Sequence, residues 1–333
     1  MPLPINSSMV STDYRCWVLL VLGVTFLLTS VLNYLDNSLL IYERVNSTQE
    51  PQIDQVLVVY DLVPRVSDEF SQELQVFGRT RRAKFNVVEL NHKRKVLSRK
   101  DQEKLVKTVW SLNRPVAVMD SVRFVDFSNF SSIDVRPLYF ALVEHPVSKF
   151  IDWYQNFMNA KSTSRIIRQT FCLGQSDITA CVADRLAMDV NTCLESEDIF
   201  CRVYPEFVDD LTIIPSFCGH LEQCEEPKSS WALQMAKFNV EKWFPAIGVA
   251  EKWKETLIVA SKRIPSYFQD IMDFSLWYQK ERTNSLLQPS YPDPWSRLTS
   301  QAQENLKTTL KDELEFYEYL KQRIIRQAIL SKQ

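Results

Sequence analysis

Five short apolar runs, spaced by helix-forming stretches, constrain this chain more than any other feature. They are residues 55–60 (QVLVVY), 86–89 (NVVE), 115–119 (PVAVM), 137–143 (PLYFALV) and 246–249 (AIGV). Most are continuously apolar rather than alternating, the pattern of strands buried on both faces of a helix-covered parallel sheet. Between them lie helical stretches at 67–78, at 99–112 and at 146–160. The second opens with Ser98-Arg99-Lys100-Asp101, which resembles a capping box, and the third with Pro146 at its first position. Strand and helix alternating within one sheet imply right-handed crossovers. The expectation is an α/β fold, a central parallel sheet flanked by helices, with ligands collected at the carboxyl ends of the strands. Residues 161–209 break the rhythm and read as an irregular, cysteine-held excursion. Residues 300–326 read as one long helix whose stripe (Leu306, Leu310, Leu314, Tyr317, Leu320, Ile324) packs on the domain.

Residues 16–35 hold about 20 apolar positions without a charge, enough for one bilayer crossing. The run is long for a signal-peptide core and no A-x-A site follows it, so it reads as a retained anchor. This predicts a cytosolic tail at 1–15, a transmembrane signal anchor at 16–35, a polar stem at 36–54 and a lumenal domain at 55–333. Cys16 sits at the membrane edge. The other six cysteines, Cys172, Cys181, Cys193, Cys201, Cys218 and Cys224, lie downstream of the anchor and read as disulfides of an oxidising compartment. Their spacing is unlike C-x2-C pairs, so no metal site is expected. Asn46 and Asn129 begin glycosylation sequons. A net charge of −2 gives no global field for nucleic acid, and none is expected as a partner.

Residues 214–251 combine the short Cys218–Cys224 loop, an amphipathic helix beginning near Ser229 and the last apolar strand. Cys218, Gly219, His220 and Cys224, then Trp231, Ala232, Ala236, Lys237 and Asn239, then Gly248, Val249 and Glu251 stand in a specific order. That order resembles the C-G-H-x-x-x-C loop, W-A-x-x-x-A-K-x-N helix and F-x-x-V-G-V-x-E strand of the heparan sulfate and uronyl 2-O-sulfotransferases, Pipe-like proteins included. The resemblance extends loosely over 56–323. It implies a sulfotransferase-like (P-loop-like) domain on a single-pass type II anchor in the Golgi membrane. It also implies disulfides Cys193–Cys201 and Cys218–Cys224, leaving Cys172 and Cys181 for each other. The implied reaction transfers sulfate from 3′-phosphoadenosine 5′-phosphosulfate (PAPS) to the 2-hydroxyl of a uronic acid in a glycosaminoglycan of heparan or dermatan/chondroitin type.

Against that family pattern, the residues expected to carry the chemistry are altered. The turn 59–70 is similar to V-[PG]-K-x-[GA]-S-x-T, the family's grip on the 5′-phosphosulfate. Val63 and Pro64 match, Ser67 stands at the small-residue position, and Arg65, Asp68 and Phe70 replace lysine, serine and threonine. The stretch 143–154 is similar to R-D-P-V-x-R-[FL]-x-S-x-Y, which holds the donor's 3′-phosphate. Pro146, Val147, Phe150 and Tyr154 persist, whereas Glu144, His145 and Asp152 replace arginine, aspartate and serine, and Lys149 keeps the second arginine's sign. In 121–127, SVRFVDF, Ser121 takes the place of the family's base histidine. Serine accepts no proton near neutral pH.

Of the three histidines, His145 at a strand's carboxyl end reads as the substitute base, His220 as a structural hydrogen-bonding residue and His92 as solvated. Basic runs at 79–84, 92–95 with Arg99 and Lys100, and Lys161 with Arg165 and Arg168 are candidates for the glycan. The expectation is a weakly active or non-catalytic relative that binds glycan or modulates a partner, as a homo-oligomer or beside an active relative. The alternative is an active enzyme with a site rebuilt from Arg65, Lys149 and His145.

Overall fold

The computed structural model describes residues 56–61, 67–80, 83–90, 92, 94–130, 137–159, 163–196, 211–281 and 293–331. Side chains of 61, 67–72 and 278–281 fall outside that description, as do the anchor, the stem, Asn46, Arg65, Lys161 and Cys201. Among the described residues no helix is long and apolar enough to cross a membrane.

Five strands, β1 (Val56–Asp61), β2 (Asn86–Glu89), β3 (Val116–Asp120), β4 (Leu138–Val143) and β5 (Ala246–Val249), form one sheet in the order β2-β3-β1-β4-β5. Every pairing is parallel. Successive residues of a strand face opposite sides, and Val56, Leu57, Val58, Val59 and Tyr60 are all buried, so helices cover both faces. The edge strand β2 is instead exposed at both ends and half-buried in the middle. Helix α1 (Ser67–Gly78) follows β1, and α2 (Arg99–Trp110) follows β2 with Ser98 as its cap, accepting the Asp101 N–H at 3.2 Å. Helix α3 (Pro146–Asn159) follows β4 with Pro146 at its start.

The described part of the stretch expected to be irregular, residues 163–196, is largely helical. It contains α4 (Thr163–Thr170), α5 (Ile178–Ala187) and α6 (Val190–Glu195), the last two capped by Asp177 and Asp189. Each helix is too short to show a clear period, which hid them from pattern reading. Cys172 bonds Cys181 across the α4–α5 turn. Cys193 is disulfide-bonded, while its expected partner Cys201 lies outside the described residues. Next come α7 (Ile214–Cys218) and α8 (Ser230–Trp243), with the Cys218–Cys224 bridge closing the loop that follows α7. Past β5 lie α9 (Trp253–Arg263), α10 (Pro265–Phe268) and α11 (Ile271–Glu281).

The C-terminal helix divides at Leu310 into α12 (Ser300–Thr309) and α13 (Lys311–Leu330), rather than running unbroken. Leu306 and Leu310 pack with Val147, Phe150 and Tyr154 in a second apolar cluster. Phe316, Tyr317, Leu320, Ile324 and Ala328 join the sheet's own core. One sequence stripe thus serves two clusters, and the bend redirects it from one to the other.

Candidate functional site

The connection leaving β1 goes toward β2 and that leaving β4 goes toward β5, so the sheet's switch point falls between β1 and β4. Open α/β sheets take ligands at such points, outside the carboxyl ends of the strands. The segments after β2, β3 and β4 border this edge.

After β3, Val122, Phe124, Val125 and Phe127 are buried, which accounts for the apolar pattern of 121–127 by packing. Two buried tyrosines of the sheet hold the loop. Val125 N–H donates to Tyr60 Oη at 3.2 Å, and Tyr139 Oη donates to Val125 O at 3.0 Å. Phe124 N–H donates to Ser216 O at 2.8 Å. Asp126 caps a 3-10 turn, Phe127–Asn129, leaving Asn129 exposed. Ser121 stands exposed at the head of the loop.

His92 departs from the sequence reading. Parallel pairing continues past β2, with Leu90 N–H donating to Met119 O at 2.9 Å, and this carries His92 alongside Asp120. His92 Nδ1 lies 2.6 Å from Asp120 Oδ2, while Asp120 Oδ1 accepts the Ser121 N–H at 2.8 Å. The carboxylate is buried, with a side-chain exposure of 3%, and the imidazole is 34% exposed. Burial raises the Asp120 pKa, and the neighbouring His92 pulls it back down. No spacing rule links residues 92 and 120, because their meeting depends on a register extended beyond the strand.

After β4, His145 N–H donates to Glu251 Oε1 at 2.7 Å, and His145 Nδ1 accepts the Val147 N–H at 3.1 Å, capping α3. Its ring meets Tyr317 edge-on at 4.8 Å. Burial, with Lys321 adding to it, lowers its pKa to about 4, so the ring is neutral and its proton sits on Nε2. The lone pair expected to serve a substrate hydroxyl is therefore committed to a backbone N–H. His220 likewise accepts the Leu97 N–H at Nδ1, 3.0 Å, and donates from Nε2 to Arg123 O, 3.1 Å. That is the structural duty expected of it.

Glu144, Lys149 and Asp152 are 1%, 4% and 6% exposed. Asp152 lies 3.9 Å from the Arg297 guanidinium. Lys149 lies close enough to Glu313 to oppose the burial that raises the Glu313 pKa to about 7. Glu144 adds to the rise of the Tyr317 pKa, which burial dominates. The charges at these three positions are engaged within the protein. Ser67 and Asp68 open α1 at the carboxyl edge after β1, and their side chains fall outside the description.

The described residues of the basic runs lie on separate elements. Arg79 and Lys84 join α1 to β2 at the amino edge of the sheet, and Arg165 and Arg168 lie on α4. Of these runs, His92, Arg94, Lys95, Arg99 and Lys100 sit at the carboxyl edge, with Arg99 stacked over Phe130 at 5.0 Å. Arg123 N–H donates to Lys95 O at 3.0 Å, tying this strip to the loop after β3. A cavity of about 510 Å³ lies elsewhere, among Ile214, Glu225, Lys228, Ser230, Leu310 and Glu313. Among the described residues no cluster of three or more His, Cys, Asp or Glu could hold a metal ion.

No protein-family model matches the chain. It is similar to the uronyl 2-sulfotransferase of Homo sapiens, 25% identical over 246 residues, which cover 72% of this chain and 55% of that relative. It is also similar to heparan sulfate 2-O-sulfotransferase 1 of Xenopus laevis, 23% identical over 280 residues, with 82% and 72% covered. The uronyl 2-sulfotransferase homolog pip of Drosophila melanogaster is 24% identical over 297 residues, with 86% and 55% covered. The chain thus spans about half the length of the first and last of these relatives. Identities at this level over most of the chain are consistent with a divergent relative of these proteins.

Proposed function

We propose that this divergent relative of the uronyl and heparan sulfate 2-O-sulfotransferases is a PAPS-dependent sulfotransferase of low turnover. It holds a glycosaminoglycan at the carboxyl edge of its sheet more firmly than it holds the sulfate donor. What supports the reading is the division of charge. Arg94, Arg99 and Lys100 are exposed on the segment after β2, at the same carboxyl edge of the sheet as Ser121, where a polyanionic acceptor would lie. The positions that resemble the donor's 3′-phosphate grip hold two buried acids, Glu144 and Asp152, and a lysine placed near Glu313. A like-charge contact at about 4 Å costs on the order of 4 kcal/mol at an effective dielectric near 20, roughly a thousandfold in affinity. The proposal includes a type II anchor at 16–35, a Golgi location for the domain, and assembly with itself or with an active relative.

Calorimetry with the desulfated donor, 3′-phosphoadenosine 5′-phosphate, and retention on immobilised heparin test the two halves separately. Heparin should be retained to moderate salt, whereas the nucleotide should bind weaker than micromolar. Micromolar nucleotide binding overturns the weak-donor reading. Heparin retention with no transfer of radiolabelled sulfate at saturating PAPS overturns turnover, and leaves a glycan-binding protein that acts through a partner.

A further inference from the structure

Ser121 leaves the transfer without a proton acceptor at the position where the resemblance expects one. We infer that His92 fills that role as general base, with Asp120 as its positioning residue; the inference rests on the transferase reading above. One carboxylate spans both places. Asp120 Oδ2 contacts His92 Nδ1 at 2.6 Å and Asp120 Oδ1 accepts the Ser121 N–H at 2.8 Å, so the imidazole stands next to the vacated position.

The same contact sets the tautomer. A proton held on Nδ1 by the carboxylate leaves the lone pair on Nε2, on the far side of the ring. His145 and His220 have the reverse arrangement, with Nδ1 accepting from backbone. Access separates them too. The His92 side chain is 34% exposed, and Arg94, Arg99 and Lys100, exposed on the segment that continues from it, supply the charge that a sulfated, carboxylated sugar chain requires.

In the step, His92 Nε2 takes the proton of the uronic acid 2-hydroxyl. The freed oxygen bonds to the sulfur of PAPS, and the bond from sulfur to the bridging 5′-phosphate oxygen breaks. 3′-Phosphoadenosine 5′-phosphate departs with that electron pair, and the proton passes from the imidazolium to water. Asp120 stabilises the imidazolium while it lasts, and Arg94, Arg99 and Lys100 hold the acceptor's carboxylate and sulfate groups.

The full-length protein is assayed with radiolabelled PAPS at saturation and 2-O-desulfated heparin as acceptor. His92→Gln should lower kcat by about a hundredfold or more, within the range that general bases contribute. Heparin retention and KM should be unchanged. Asp120→Asn should lower kcat about tenfold with KM unchanged, a split that general destabilisation would not produce. Imidazole added to His92→Ala should restore part of the rate.

Wild-type kcat in His92→Gln overturns the base assignment alone. Absence of transfer in the wild type overturns it together with the transferase reading. A measurement on wild type alone covers a variant that does not fold: diethyl pyrocarbonate labelling read by peptide mass spectrometry. Acceptor with 3′-phosphoadenosine 5′-phosphate should protect His92, and unchanged labelling at His92 overturns the proposal.

Discussion

At His220 and His145 the fold keeps two imidazoles neutral by burial, each at about 4 against an ordinary 6.5. Such a group contributes stability that is complete above pH 6.5 and is lost as the pH falls toward 4. Glu313 works in the other direction. Burial raises its pKa to about 7 from 4.5, so its contribution is complete below 4.5 and is lost as the pH rises through 7. Two histidines outweigh one glutamate between pH 6.5 and 4.5, so acidification should destabilise the domain. The net loss is on the order of 2–3 kcal/mol, because each tenfold change in a group's proton affinity is worth about 1.4 kcal/mol. Denaturant melts at stepped pH should show a steeper loss for Glu313→Gln and a shallower one for His220→Gln. Identical slopes for all three proteins would contradict this. The sequence alone indicates that His220 is structural, because a histidine inside a tight cystine loop has backbone close on every side. It does not reveal the partner of His92, which is set by the strand register, and it makes His145 look available when its ring is an α3 cap.

Among the elements, β5 and α9 leave no room between them. A Cβ built at Gly248 would stand 2.8 Å from both Leu142 Cδ1 and Thr256 Cγ2. Thr256 is itself fixed, its hydroxyl accepting the Val249 N–H at 2.9 Å and donating to Val249 O at 3.1 Å. Gly248→Ala should therefore cost about 1–3 kcal/mol, the range for overpacking, and lower the midpoint of a denaturant melt. A midpoint equal to wild type would mean that the sheet yields there.

The α4–α5 pair depends on its bridge. Its apolar cluster holds only Ile167, Cys172 and Val182 as buried members among the described residues. Reduction should remove roughly 2–3 kcal/mol there, and limited proteolysis under reducing conditions should cut within 163–187 first. First cuts elsewhere would contradict that order of stability. The strands and α1 to α3 were legible because their runs are long or capped. The helices α4 to α6 were not, since short helices carry their signal in tertiary contacts. The bend at Leu310 was hidden because the stripe keeps its spacing through it.

For the whole molecule, the proposed compartment and chemistry are linked: disulfides, glycosylated sequons and a lumenal sulfate transfer all belong to an oxidising lumen. Expressed in a eukaryotic cell, the protein should shift in gel mobility on endoglycosidase treatment, through Asn46 or the exposed Asn129. Unchanged mobility together with protease sensitivity from the cytosolic side would reverse the topology. The resemblance to 2-O-sulfotransferases was readable where residues have structural work. Asn239 Nδ2, for example, donates to Phe217 O at 2.9 Å and to Cys218 O at 3.2 Å. Glu251 joins His145 N–H to Tyr317 Oη, accepting at 2.7 Å and 2.9 Å. Ser121, Glu144 and Asp152, at the positions that the resemblance assigns to base and donor, take no part in these contacts.

Helix α13 gives the nascent chain a particular schedule. Its Phe316, Tyr317, Leu320, Ile324 and Ala328 close the core over elements made much earlier, and its Glu313 accepts the Ile213 N–H at 2.7 Å. As the chain is synthesised, the strands emerge with that side uncovered. They stay incompletely covered until the last helix is made. Synthesis therefore cannot finish this domain piecemeal, and a ribosome stalled near Leu310 should leave a trypsin-sensitive species.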